Sequence, residues 1–406
     1  MLVADYQAEE GHSPLAAPSR PIVISLFAGI VSTAVIYDAL PPVLPAISAN
    51  FGGGTRGDLI AQLAMTLPLL GMALSGLFSG RSIDRFGIKP VLIAALFAFA
   101  IFGSVGMFIH TALPLLAARI ATGIAAGTML TCGTTLIAAH YTGLGRLRMA
   151  GRLFAVGAIC SVTFIQISGI AATISWRAPF LLHLVFALIF ATPILLMKLA
   201  PSAFGERHTR ESGFDVARQI MPAAPAYCYI FLLNFVSYLF SVQLVFLLAS
   251  IGVHSSTSIA NVVMVYAFGA LAGNLAVTRI EARLGTVATI AVGCALLSLA
   301  AYVCAVSWSL EILIFGPFIG GIGTGLAIPS NMTLIMRSVP LALSARALSI
   351  GTSMMYLGGG SAPLVIAPLG EAVGVRGVYY TAVFVIGLAA MPLVALSWRR
   401  AQPETT

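Results

Sequence analysis

Residues 80–89 read GRSIDRFGIK, and Arg85-Phe86-Gly87 within them is answered by Arg283-Leu284-Gly285, 198 residues further on. The echo is not isolated. Gly123 and Gly127 return at the same offset as Gly321 and Gly325, Arg152 and Gly157 return 194 residues on as Arg346 and Gly351, and Arg177 returns 199 residues on as Arg376. Single matches would be chance, but four in register mean that the chain is written twice. Outward from these points the sequence divides into twelve apolar segments of about 20 residues, the length needed to cross a bilayer. They lie near 21–48, 58–79, 90–109, 113–138, 153–174, 177–199, 226–251, 256–278, 286–306, 309–334, 346–370 and 377–398. The expectation is an all-α integral membrane protein with two pseudo-symmetric six-helix bundles of like orientation, 21–199 and 226–398. A polar linker at 200–225 joins them, and tails at 1–20 and 399–406 flank them. Such a duplicated bundle places its functional cavity between the halves, near the bilayer midplane.

Composition agrees with lipid as the main solvent. Of 406 residues 59% are hydrophobic and 8% charged, against roughly 25% charged in a soluble domain. The net charge of +8 could suggest nucleic acid, but its placement excludes that. Seventeen of the 21 Lys and Arg fall on the side of the termini, and only Arg56, Arg177 and Arg376 on the other. Basic residues mark the cytoplasmic side, so both termini are expected there, in a multi-pass protein of the inner (plasma) membrane. The first 20 residues, with Asp5, Glu9 and Glu10, lack the basic start of a signal peptide. Five cysteines lie in apolar segments without CxxC spacing and read as packing residues. No HExxH, GxSxG or GxxxxGK[ST] stretch is present, so the sequence does not read as an enzyme. A monomer is expected, with membrane lipid and a small-molecule substrate as partners.

The remaining basic residue, Arg119, sits inside the fourth segment, and Asp38 sits inside the first. Each charge costs roughly 2.5–3.5 kcal/mol at a helix centre on insertion scales, so an ion pair between them is expected. Asp38 lies about 24 Å above one face and Arg119 about 9 Å below the other at 1.5 Å per residue, similar levels in a core about 30 Å thick. The stretch YDALPPVLPAI, 37–47, adds two prolines that free the carbonyls of Tyr37 and Asp38. Freed carbonyls persist in a membrane where they line protein or water, so the segment reads as a kinked, hydrated gate. Asp38 is expected to exchange a proton while Arg119 modulates it.

Other intramembrane polar residues are candidates for substrate contact. Asn234, Ser237, Tyr238 and Ser241 follow at i, i+3, i+4 and i+7 and make one polar face of the seventh segment. Gln62, Gln166, Asn261 and Tyr356 stand alone, and each suits an interhelical hydrogen bond as well as a ligand contact. His183 reads as packing, and His140 has no visible partner.

These residues resemble a known family. GRSIDRFGIK is similar to the loop between helices two and three of the major facilitator superfamily, G-x-x-x-D-R-x-G-x-[KR]. Arg119-x-x-x-Gly123-x-x-x-Gly127 is similar to its fourth-helix motif, and Trp176-Arg177 with Phe180 to its entry into helix six. Asp38 to Ile47, DALPPVLPAI, resembles the first helix of the twelve-helix drug:proton antiporter branch, the bicyclomycin and chloramphenicol resistance group. The resemblance implies that Gly80, Asp84, Arg85, Gly87 and Lys89 form a gate, with Asp84 beside the start of helix eleven as a latch. It implies alternating access driven by a proton gradient, with no cofactor. Helix five departs from the branch: AICSVTFIQISGIAA keeps Gly169 but lacks the Gly-Pro. Both proton-coupled export of a drug-like compound and uptake of an organic anion held by Arg119 therefore stay open. A non-transporting sensor on the same scaffold is the third reading.

Overall fold

The computed structural model describes residues 19–141, 143–198, 218–340 and 343–401. Most of both tails and of the 200–225 linker, with Arg207 and Arg210, lies outside the described residues. Ten spans follow in order: α1 (Arg20–Asn50), α2 (Gly54–Ser75), α3 (Ile88–Met107), α4 (Ala112–His140), α5 (Gly151–Ile174), α6 (Ala178–Leu196), α7 (Arg218–Ser250), α8 (Ser256–Leu284), α9 (Thr286–Val306) and α10 (Leu310–Arg337). An eleventh apolar run, Arg346–Leu393, is 48 residues long. That is about 72 Å of helix at 1.5 Å per residue, more than twice the hydrocarbon thickness. Gly374, at φ 74° and ψ 165°, breaks it, giving α11 (344–373) and α12 (375–401). The break falls in the gap between the eleventh and twelfth segments expected from sequence.

Among the first six helices α4 packs on α1, α2 and α3, and among the last six α10 packs on α8 and α9. The duplication is visible in the backbone. Gly87 and Gly285 both adopt φ 82°, with ψ 161° and 163°, and both open the next helix. Left-handed φ is open to glycine at little cost, so the likeness of residues 85–87 to 283–285 is a repeated turn. Arg177 and Arg376 repeat a second device. Arg376 Nη1 donates to the carbonyls of Ala305 and Ser307 at 2.8 and 2.6 Å, with its guanidinium 3.8 Å from the Trp308 ring centroid. Arg177 donates to Met107 and Ile109, both at 3.4 Å, over Trp176. Each cation thus covers the carboxyl end of a helix, where the last carbonyls lack partners and the dipole is negative.

Two helices are irregular where they line the centre. In α1 the α-helix stops at Asp38, a 3-10 turn covers Pro41–Val43, and helix resumes over Leu44–Asn50. In α7 a π-turn occupies Leu239–Gln243, and the Tyr379 hydroxyl donates to the carbonyl of Leu239 at 2.7 Å. The bundles meet through α2 against α11 and α5 against α8. Call the face where α1 starts and α12 ends the terminal face, and the other the far face. At the far face the ends of α1 and α7 pack together, with Leu40, Leu44, Ile47, Leu244, Val245 and Leu248 fully buried. Among the described residues no comparable packing joins α4 to α10 at the terminal face.

Candidate functional site

Asp38 ends the first helical stretch of α1 because Pro41 and Pro42 follow it. The kink expected from sequence is present. Besides the carbonyls of Tyr37 and Asp38 it leaves that of Ala39 without its helical donor, because the Val43 N–H turns to Leu40. The Ala39 carbonyl accepts a hydrogen bond from the Ser168 hydroxyl of α5. Asp38 Oδ2 is buried without a hydrogen-bond partner, and the Ser161 hydroxyl is the group that interacts with the carboxylate. Tyr37, next to Asp38 in α1, interacts with it and with Tyr266 of α8 and Tyr356 of α11 in the other bundle. Tyr266 is stacked on Phe240 with centroids 5.9 Å apart, and its hydroxyl donates to Thr324 Oγ1 at 3.1 Å. Tyr356 interacts with the Thr33 hydroxyl. Thr33, Tyr37, Asp38, Ser161, Ser237 and Tyr266 keep part of their surface accessible although they lie mid-helix between the bundles. These part-accessible side chains lie along the seam between the bundles, across whose far side the buried ends of α1 and α7 pack.

The expected Asp38–Arg119 ion pair is not made, and that expectation is corrected. Arg119 is 0% exposed. Its Nε donates to the carbonyl of Ala64 at 2.7 Å, and its Nη1 lies 3.2 Å from His183 Nε2. The reason lies in α2. Pro68 has no N–H, so the Ala64 carbonyl four residues earlier has no helical donor, and Arg119 supplies one from α4. Gly123, one turn on, lies against Pro68 so closely that a Cβ there would overlap its carbonyl. His183 Nδ1 lies 3.1 Å from the Phe180 carbonyl. A carbonyl only accepts, so Nδ1 carries the proton and Nε2 is the bare acceptor for Arg119. His183, read from sequence as packing, is therefore the partner of Arg119 as well as being packed against Phe99 and Gly103.

Four of the six candidate substrate residues pair with each other across the bundles. Tyr238 of α7 donates to Gln62 Oε1 of α2 at 2.7 Å, and Gln166 Nε2 of α5 donates to Asn261 Oδ1 of α8 at 3.0 Å. Gln62 and Gln166 are each eight residues from the far end of their helix, about 12 Å in. Asn234 is buried with its Oδ1 close to Gly359 of α11, and Tyr356 is buried beside the Thr33 hydroxyl of α1. At the terminal face Gly87 makes its turn, Lys89 Nζ donates to the Leu195 carbonyl at 2.7 Å, and Arg85 lies over Phe86 at 5.1 Å. Gly80 has no atom within 4 Å of where a Cβ would stand. Asp84 is exposed, and no hydrogen bond or ion pair joins it to α11 among the described residues. In the second half the matching loop is closed on itself: Glu281 accepts from Thr286 at 2.6 Å and Ser330 at 3.2 Å and pairs with Arg337 at 3.8 Å.

Sequence reasoning did not single out Tyr37, Tyr266, Ser161 or the role of His183. For His183 a signal was present: an ionisable residue within a membrane segment is functional by default, the rule applied to Asp38.

Residues 26–252 and 226–406 match the sequence pattern of the Major Facilitator Superfamily. The chain belongs to that superfamily. It is 29% identical over 232 residues to the 4-hydroxybenzoate transporter PcaK of Pseudomonas aeruginosa, covering 55% of this chain and 49% of that protein. It is 28% identical over 216 residues to multidrug resistance protein 2 of Bacillus subtilis, covering 50% and 52%. The chain thus matches about half the length of these curated relatives. Among solved structures of the superfamily fold, a D-xylose-proton symporter superposes with TM-score 0.76 over 92% of this chain and 97% of that one, at 13% identity. The nucleoside transporter NupG superposes with TM-score 0.71 over 92% and 99%, also at 13% identity.

Proposed function

We propose that the chain is a secondary active transporter of the drug:proton antiporter branch, which exports a small organic compound in exchange for protons by alternating access. The observation that carries this is the Asp38 carboxylate at a broken helix between two bundles, with Oδ2 unpartnered and no cation paired with it among the described residues. A carboxylate without a cation must be balanced by a proton or by cargo, and alternation between the two is exchange. Arg119 then acts as a structural peg for α2 and not as the modulator of Asp38. The cross-bundle bonds Gln62–Tyr238 and Gln166–Asn261 hold the far side closed, and Asp84, without a bond to α11 among the described residues, belongs to a terminal side that is free to open. The basic residues on the terminal side support a cytoplasmic position for both termini in the plasma membrane.

The test uses everted vesicles carrying a pH-sensitive dye. Addition of the exported compound collapses an acid-inside gradient in vesicles with the wild-type chain and not with Asp38→Asn. Collapse undiminished in Asp38→Asn removes the role of Asp38. Uptake of an organic anion is the second reading, favoured by the likeness to a 4-hydroxybenzoate transporter. The full burial of Arg119 argues against that residue as the anion contact.

A further inference from the structure

The breaks in α1 and α7 sit at matching points of the repeat and are made by different means. Pro41, which opens the 3-10 turn of α1, and Leu239, which opens the π-turn of α7, are 198 residues apart. In α1 the prolines impose the break, since Pro41 and Pro42 have no backbone donor in any conformation. In α7 no residue from 238 to 244 is Pro or Gly, so the same stretch is free to form unbroken α-helix. We propose that the π-turn of α7 is a reversible hinge, held by the Tyr379 hydroxyl of α12 while the far side is closed and converted to α-helix as that side opens. Tyr379 is then a positioning residue for transport. The inference needs a transporter whose far side opens, and it does not depend on antiport or on proton exchange at Asp38.

The Leu239 carbonyl accepts from the Leu244 N–H, five residues on, and from the hydroxyl of the fully buried Tyr379 at 2.7 Å. In an α-helix its donor is the Gln243 N–H, four residues on. The tyrosine, fixed in another helix, therefore favours the wider turn. A second side-chain donor acts on the same stretch, the Ser241 hydroxyl reaching the Ser237 carbonyl at 3.2 Å, and such bonds compete with the helical ladder. Against them stands Gln243, the last residue of the turn, which is buried with Oε1 unpartnered. A buried acceptor without a donor raises the energy of the state that holds it, so the closed form carries a cost that opening to water removes. The turn is also placed to act on the far side. Tyr238, just before it, bonds Gln62 of the first bundle, and Leu244, Val245 and Leu248, just after it, are buried where the ends of α1 and α7 pack. A π-turn holds one residue more than an α-turn, so its conversion rotates the segment that follows by about 100° and advances it about 1.5 Å. That rotation carries Leu244, Val245 and Leu248 away from α1.

The test is the labelling rate of Val245→Cys by a water-soluble maleimide, in the purified full-length chain with its five native cysteines replaced by alanine. Val245 is fully buried while the far side is closed, so the rate follows the open fraction. Tyr379→Phe, which removes one hydroxyl and keeps the ring, is expected to raise the rate about threefold, the effect of one interhelical hydrogen bond. Gln243→Leu removes the orphaned oxygen and is expected to lower it about fivefold. Opposite shifts from two buried substitutions separate a hinge from general loosening of the bundle. Deletion of Ser241 takes out the extra residue and leaves α7 a continuous helix with its far end in the closed orientation; labelling is then slow, and Tyr379→Phe no longer raises it. A rate unchanged by Tyr379→Phe overturns the proposal, as do shifts in one direction from Tyr379→Phe and Gln243→Leu, or a threefold rise from Tyr379→Phe that persists without Ser241. The rates are read without substrate or proton gradient, so failure of the antiport reading leaves them as they are and the two fail separately.

Discussion

The α2–α4 joint in the first bundle and the α8–α10 joint in the second are built on one plan and carry different loads. Gly71, Gly123 and Gly127 recur 198 residues on as Gly269, Gly321 and Gly325. A Cβ at Gly123 would overlap the Pro68 carbonyl, and one at Gly321 the Tyr266 carbonyl. In both joints small residues let backbones touch, the usual basis of helix association where there is no hydrophobic drive. The polar positions then diverge. Pro68 of α2 corresponds to Tyr266 of α8, and Arg119 of α4 corresponds to Pro317 of α10. The first joint releases a carbonyl and answers it with a buried guanidinium; the second presents a tyrosine bonded to Thr324. Duplication kept the backbone approach and let the bundles specialise, one carrying charge and the other aromatic lining.

Several changes would break or sharpen this contrast. Because both joints are closed by backbone contact, Gly123→Ala and Gly321→Ala should each cost about 1–3 kcal/mol through overpacking, read as lowered thermal stability in detergent. Gly80→Ala, facing open space, should leave it unchanged. Equal tolerance at all three positions would refute the shared plan. His183→Leu belongs to the first joint alone. It leaves Arg119 Nη1 without its acceptor and should cost about 1–3 kcal/mol, while Ala382→Leu at the matching point of the second bundle lacks this penalty. Pro68→Ala restores a backbone donor to the Ala64 carbonyl, so the loss on Arg119→Leu should shrink in that background. A double-mutant cycle should show coupling of about 1 kcal/mol, and additivity would mean that the proline and the arginine are unrelated. The smallest effect is expected at the cross-bundle bond. Tyr238→Phe removes one interhelical hydrogen bond worth about 0.6 kcal/mol in a membrane. That should raise far-side accessibility of a cysteine placed at Ile47 about threefold, measured by thiol labelling.

The repeat, the spans and the α1 kink were legible because they rest on local rules. A glycine that must turn left-handed, a proline that lacks a donor and a 20-residue apolar run each carry their cause in the sequence. The partner of Arg119 was not read correctly because depth was used without azimuth. Residues at one level in two helices can point anywhere around their axes. A further clue was available, since residues four apart share a face, so Arg119 looks where Gly123 looks. Gly123 is the contact with α2, and that direction leads to Ala64 and His183, not to Asp38. Gln62, Gln166, Tyr238 and Asn261 were recognised as polar residues in lipid, but each partner lies at least 95 residues away in the other bundle.

By itself, then, the sequence determined that this chain crosses a membrane in two matched sets of helices, that α1 breaks beside an acidic side chain, and where the glycine contacts recur. These follow from solvent, backbone geometry and repetition. Only the tertiary structure decided that Arg119 serves a proline-freed carbonyl and an imidazole, leaving Asp38 without a cation. Which way each side chain faces depends on how helices are rotated against distant neighbours, and a linear text does not carry that rotation.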